Sequence, residues 1–196
     1  ANFIYGVALI KVGLVHMTIQ VYNSLTRRVE PFRPLQGKRI DIYLCGPTVY
    51  DESHIGHARA YVAFDVILRY LKHRGYDVKY IVNITNVDDK IINRARQIGM
   101  NPVELARKYE ESFHNDMAKL GVVKADVYPR VSDHIDEIVA MVQTLIQKGY
   151  AYEVDGDVYF DVTKFKEYGR LSNQSLEGIK AGARIEVDER KKSPID

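Results

Sequence analysis

The sequence predicts an α/β fold: the first half of a parallel, nucleotide-binding sheet, followed by a helical region that carries a β-hairpin. Two patterns and one size argument lead there. Strand-like runs at 39–45 and 77–85 flank a single long helical pattern, and strands joined through a helix run parallel. After position 87 helical spacing returns three times, until "YAYEVDGDVYFDV" breaks it with Asp155-Gly156, a two-residue hairpin signal. With 196 residues, 46% hydrophobic and 28% charged, the chain can bury one large core or two small ones.

The elements follow in order. "ANFIYGVALIKVGLVH" (1–16) is apolar, but it is shorter than a membrane span and Lys11 interrupts it. It also lacks the basic start of a secretion signal. We read 1–16 as an extension outside the functional fold; an extra strand is the plainer alternative. Met17 opens "MTIQVYNSLTRRVEPF", which reads as an ordinary protein start. "RIDIYLC" (39–45) alternates and is rich in β-branched and aromatic residues, a strand pattern. "GPTVYDESH" is a loop. From Ile55 to Arg74, apolar residues at Ala58, Tyr61, Val62, Phe64, Ile67, Leu68 and Leu71 keep helix spacing, and Gly75 supplies the stop. "DVKYIVNIT" (77–85) is the second strand.

"VDDKIINRARQIG" and "NPVELARKYEESFHNDMAKLG" read as helices closed by Gly99 and Gly121, with Pro102 in a first turn where proline is tolerated. Asp88 and Asp89 stand at a helix start, where acids cap and complement the dipole. "SDHIDEIVAMVQTLIQKG" (132–149) is a third helix, with Ser132 or Asp133 expected as its N-cap. The tail after the hairpin is polar and irregular. The expected domains are 1–16, the extension; 17–114, the half sheet; and 115–196, a helical stretch with a hairpin that a family resemblance, carried by the motifs below, implies is the start of an inserted connective region.

Composition limits function. The net charge of +2 does not mark a nucleic-acid binder by itself. One cysteine rules out an internal disulfide and favours a reducing, cytoplasmic compartment. No membrane partner is expected.

The chemistry gathers in "LCGPTVYDESHIGHARAY" (44–61). His54 and His57 lie three residues apart at a helix start and share one face of its first turn. A helix start offers free N–H groups and partial positive charge, a ready phosphate site. Two imidazoles there can stabilise charge on a transferring phosphoryl group. Gly56 lets a flat ring such as adenine approach the backbone. The chemistry indicated is nucleotidyl transfer. Surface histidines at a helix cap are the plain alternative. Cys45 ends a strand, where α/β sheets place ligands; it reads either as a metal ligand or nucleophile, or as a small buried apolar residue.

The run "YLCGPTVYDESHIGHARAYVAFDVILRYL" resembles the N-terminal catalytic region of the class I cysteinyl-tRNA synthetases. His54-Ile55-Gly56-His57 matches the class I signature, and Cys45-Gly46-x-Thr48-Val49-Tyr50-Asp51 matches the segment that opens the cysteine pocket. "NITNVDDKIINRA" (83–95), "AGARIEV" (181–187) and "SPID" (193–196) match later blocks. The resemblance implies a Rossmann-type (HUP-like) catalytic domain that activates cysteine with ATP, Mg2+ accompanying it, and passes the cysteine to tRNA(Cys). It implies that His54, Gly56 and His57 form the ATP site, the two histidines catalytic; that Gly46, Thr48 and Thr85 line the amino-acid site; and that Cys45 is a zinc ligand.

Zinc accepts a soft thiolate and binds a serine hydroxyl far less well, which gives the resemblance a physical basis for selecting cysteine. The family's other three ligands (a cysteine, a histidine and a glutamate) and its lysine-containing loop are not in this sequence, and "ERKKSPID" is not that loop. The resemblance thus implies an N-terminal part, with the first half of the sheet only.

Three other readings stay open. One is the related ligase that joins cysteine to an amino-sugar in mycothiol synthesis. A second is a non-catalytic binding module of synthetase shape. A generic H-x-G-H nucleotidyltransferase is the third, and it leaves Cys45, Thr48 and "NITNVDD" unexplained.

Overall fold

The computed structural model describes residues 18–176 and 188–196. The 1–16 extension and the "AGARIEV" block lie outside the described residues.

The first element is one that the sequence reading left without structure. β1 (Gln20–Asn23) and β2 (Arg28–Pro31) form an antiparallel hairpin, with Val21 opposite Glu30. Both strands are short and mostly exposed, so no apolar alternation announces them. The hairpin is fixed beside the sheet: Phe32 N–H donates to the Ile19 carbonyl at 2.7 Å, and the Phe32 ring meets Tyr76 edge-on at 6.1 Å.

β3 (Arg39–Leu44) and β4 (Asp77–Val82) run parallel, Ile40 opposite Val78 and Leu44 opposite Val82. Every second residue turns to the core: Ile40 on β3, then Val78, Tyr80 and Val82 on β4, are buried. Between the strands runs α1 (Ile55–His73), whose inward face presents Tyr61, Leu68 and Leu71. Gly75, at φ 82°, turns the chain out of it in the left-handed region that glycine favours. The sequence reading extended both strands too far. β4 ends at Val82, and beyond it Ile84 and Thr85 make isolated bridges.

A third parallel segment was not anticipated. Residues 126–131 lie along β4 on the side away from β3. Val82 N–H donates to the Val127 carbonyl at 3.1 Å and Ile84 N–H to the Pro129 carbonyl at 2.8 Å. Pro129 cannot donate to a ladder, and "ADVYPRV" holds too short an apolar run to read as a strand.

α2 (Asp89–Ile98) and α3 (Pro102–Lys119) complete the covered face with Ile91, Ala95, Leu105, Ala106, Tyr109, Phe113 and Met117. Burying each large apolar side chain of this kind stabilises the fold by about 1.5–3 kcal/mol relative to exposing it. Asp88 caps α2, its carboxylate accepting from Lys90 N–H at 2.8 Å, while Asp89 sits in the first turn beside the positive dipole end. Glu110 is a buried carboxylate on α3. Arg130 grips both of its oxygens, at 2.6 to 3.1 Å, and so ties α3 to the 126–131 segment.

The next helix begins differently from its expected form. Residues 131–134 form a tight 3-10 turn, and α4 (Ile135–Gln147) starts only after it. Neither Ser132 nor Asp133 caps α4. The Ser132 hydroxyl is engaged with Asn86 and Asp133 instead, and the His134 side chain at the cap position makes no capping hydrogen bond. β5 (Ala151–Val154) and β6 (Asp157–Phe160) pair antiparallel through a turn with φ 51° at Asp155 and 86° at Gly156. Among the described residues, no helix is long and apolar enough to cross a membrane.

Candidate active site

The site residues expected from sequence fall at the C-terminal ends of β3 and β4 and at the start of α1. This is the edge where parallel sheets bind ligands.

His54 is the N-cap of α1, with extended backbone. Its Nδ1 accepts from Gly56 N–H at 3.1 Å, and His57 Nδ1 accepts from His54 N–H at 3.2 Å. The two imidazoles thus form a reciprocal capping box, a role usually filled by a hydroxyl and a carboxylate. Their rings stack at 3.9 Å between centroids. This arrangement settles the chemistry of both rings. An Nδ1 that accepts a backbone N–H carries no proton, so each neutral imidazole bears its proton on Nε2. Protonating either ring would break the cap and place a cation at the positive end of a helix dipole. Burial pushes His57 below the ordinary histidine value, and the neighbouring His54 adds to the shift. The pair therefore offers Nε2–H donors.

One expectation is corrected here. A helix start was expected to leave backbone N–H groups free for phosphate. In α1 the Gly56 N–H is taken by His54 Nδ1, and those of His57 and Ala58 by the His54 carbonyl. Imidazole Nε2–H groups, rather than these amides, are what an anion would meet. Gly56 gains a second reason for being glycine: a Cβ there would stand 2.8 Å from His54 Cε1 and 2.9 Å from its Nδ1.

Cys45 follows β3 and is exposed, with Sγ 3.9 Å from the Gly46 carbonyl. Its own carbonyl accepts from Tyr61 Oη at 3.3 Å, which binds the strand end to α1. Burial pushes the Tyr61 phenol upward, so it stays a donor. Gly46 presses on the backbone leaving β4, where a Cβ would overlap the Asn83 carbonyl oxygen. Thr48 and Thr85 come together as a parallel bridge: Val49 N–H donates to the Thr85 carbonyl at 3.2 Å and Thr85 N–H to the Pro47 carbonyl at 3.0 Å. Asp51 reaches Arg94 of α2 at 3.9 Å, and Glu52 accepts from Ser112 of α3, so the loop is anchored on two helices.

Sequence reasoning missed Asn83. Its Oδ1 accepts from Gly46 N–H at 2.7 Å and from Tyr43 Oη at 2.9 Å, and its Nδ2 donates to Thr85 Oγ1 at 3.2 Å. A polar amide directly after the apolar run ending at Val82 was the available signal. A groove of about 660 Å³ between α3 and residues 86–87 and 130–132 contains none of the expected residues.

The donor set bears on the expected metal. Cys45 supplies one exposed thiol, and no group of three His, Cys, Asp or Glu placed to hold a metal occurs among the described residues. By its chemistry the thiol fits the role of one soft ligand.

The family description "tRNA synthetases class I (C) catalytic domain" matches residues 31–196. The chain belongs to this family. Among curated relatives it is 54% identical over 179 residues to a cysteine–tRNA ligase of Geobacillus, covering 91% of this chain and 38% of that protein. It is 52% identical over 180 residues to the cysteine–tRNA ligase of Pyrococcus horikoshii, covering 92% and 38%. The chain thus spans under two fifths of the length of these relatives. Two solved structures share the fold at 24% identity. The Mycobacterium tuberculosis methionyl-tRNA synthetase with methionyl-adenylate aligns with a TM-score of 0.51 over 57% of this chain and 23% of that one. The Agrobacterium radiobacter LeuRS in a ternary complex with tRNA aligns with 0.54 over 59% and 15%. Membership gives the parallel sheet and the imidazole-capped helix of this chain a common frame: a class I catalytic domain.

Proposed function

We propose that this chain is the N-terminal part of a cysteinyl-tRNA synthetase, which activates cysteine with ATP and transfers it to tRNA(Cys). In the first step the cysteine carboxylate attacks the α-phosphorus, the bond from that phosphorus to the α,β-bridging oxygen breaks, and pyrophosphate leaves with the electron pair. His54 and His57 donate from Nε2–H to the phosphate oxygens as charge builds on them. Their capped rings need no reorganisation to do so. Mg2+ would accompany the ATP as counter-charge. Gly56 leaves room beside the stacked rings for the nucleotide. Gly46, Thr48 and Thr85 form the floor on which the amino acid lies. Cys45, with three donors from outside this sequence, would hold a zinc ion that supplies a soft acceptor for the substrate thiolate.

The observation that carries this reading is the adjacency of two devices at one sheet edge. The thiol-bearing end of β3 and the imidazole-capped start of α1 are linked through Tyr61 and Cys45. Relatives named cysteine–tRNA ligase, at 50% identity or more over nine tenths of this chain, support the amino-acid assignment. The reading also keeps the division into 17–114 and an inserted region from 115. That boundary lies inside α3, so the first residues of the insert still pack on the sheet. The lone cysteine supports a cytoplasmic location.

The test is cysteine-dependent exchange between ATP and pyrophosphate. The full-length protein carrying this sequence is expected to exchange with cysteine and not with serine, and the purified 196-residue chain to show none above background. Exchange by the short chain would overturn the need for further residues. Activity with an amino-sugar acceptor and none with tRNA would replace tRNA as the partner.

A further inference from the structure

Asn83 makes three hydrogen bonds at the candidate site, and none of the expected roles includes it. Chemistry fixes its orientation. The Gly46 N–H, 2.7 Å away, can only donate, so the atom facing it is Oδ1. The other end is then the amide NH2, which also can only donate, and it faces Thr85 Oγ1 at 3.2 Å. The Thr85 oxygen is therefore an acceptor in this bond. Its own proton is left to point elsewhere, and it makes no other side-chain hydrogen bond among the described residues.

We propose that Asn83 is a positioning residue that sets the polarity of the Thr85 hydroxyl, holding it as a donor toward an anionic group of the amino-acid substrate. The inference rests on the reading of Thr85 as part of the amino-acid site. The anion is a carboxylate or a thiolate; both need a donor and are repelled by a lone pair. Asn83 acts on a second wall of the same site, because its Oδ1 also holds the Gly46 amide and so the backbone beside Cys45. Three contacts from one amide thus couple the exit of β3 to the exit of β4.

The sharpest variant is Asn83→Asp. A carboxylate keeps the oxygen that accepts from Gly46 and Tyr43, so two of the three bonds survive. The third is reversed: with no N–H to give, the carboxylate takes the Thr85 proton, and the hydroxyl now turns a lone pair to the substrate. In the full-length protein, Asn83→Asp is expected to raise the KM for cysteine at least about tenfold while leaving the KM for ATP within about twofold, since a hydrogen bond to a charged group is worth that much. The added negative charge could weaken an anion without any role for Thr85, and Thr85→Val separates the two. In the Thr85→Val background no proton is left to redirect, so Asn83→Asp is expected to add less than about twofold.

An equal loss in both backgrounds would overturn the proposal in favour of simple charge. So would KM values for ATP and cysteine that rise together, as a structural defect would give. If Asn83→Asp does not fold, Thr85→Ser and Thr85→Val carry the test: serine, which keeps the hydroxyl, is expected to retain the cysteine KM and valine to raise it. Indifference to both would overturn the proposal. Absence of cysteine-dependent exchange in the unaltered full-length protein would instead sink the functional reading itself, and the inference with it.

Discussion

The sheet edge around Gly46 and the α4 region both carry apolar residues but use them in opposite ways. At the sheet edge, Val49, Val82 and Ile84 are at most 2% exposed, and hydrogen bonds cross between β3, β4 and 126–131 at almost every residue. In α4 no residue is buried. Ile135, Ile138, Val139 and Met141 are 43 to 67% exposed, although the helix is clearly amphipathic. Apolar periodicity makes a helix; it does not by itself supply a partner for that helix's apolar face. The difference teaches where this chain keeps its stability. The site residues are exposed or half-buried in the loop and helix start beside that packed part, and the hydrogen bonds to the strand exits tie them to it.

The contrast can be broken most directly at Gly46. Gly46→Ala forces a Cβ into the Asn83 carbonyl, which is backbone and cannot swing away. We expect a loss of about 3 kcal/mol or more, seen by thermal melting as a fall on the order of 10 °C. A melt within a degree of the unaltered chain would mean that the two strand exits are not held together as described.

Next comes a matched pair of truncations. Leu68→Ala, at a site 1% exposed, is expected to cost about 2–5 kcal/mol in urea unfolding. Ile138→Ala, at 43% exposure, should cost less than about 1 kcal/mol. Equal costs would show that α4 is as firmly packed as α1.

Gly56→Ala should do less to stability. The conflicting atoms belong to the His54 ring, which can rotate aside, so the loss is that of a cap, about 1 kcal/mol. Its signature is local. The His54 Nδ1 resonance in nitrogen-15 spectra should lose the shift of a hydrogen-bonded acceptor, and an unchanged resonance would argue against the capping box.

The smallest effect is a pH dependence. The folded-state value of His57 is lowered, first by burial and then by His54. Below the ordinary histidine value the unfolded chain binds the proton more readily than the folded one, so stability is fully present above about pH 6.5 and declines as pH falls through the folded value. His114, lowered chiefly by burial, acts in the same direction. A proton-resonance titration of His57→Gln beside the unaltered chain isolates the His57 share, and a His57 midpoint above 6.5 would reverse the sign.

The sequence by itself determined the β-α-β order, the helix stops at Gly75 and Gly99, the Asp88 cap and the placing of His54, Gly56, His57 and Cys45 at one edge. All of these follow from local rules: residue periodicity, backbone freedom at glycine, and the chemistry of a short polar side chain at a helix start. Only the tertiary structure decided the rest. Residues 126–131 join the sheet because β4 offers them open carbonyl and amide groups, a property of the assembled strand and not of "ADVYPRV". Ser132 abandons its expected cap because Asn86, 46 positions away, binds it first. Asn83 matters for the same reason. Thr85 is two residues away, but the partners at positions 43 and 46 become neighbours only when two parallel strands end side by side, and hydrogen bonds between such distant residues leave no periodic trace in a sequence.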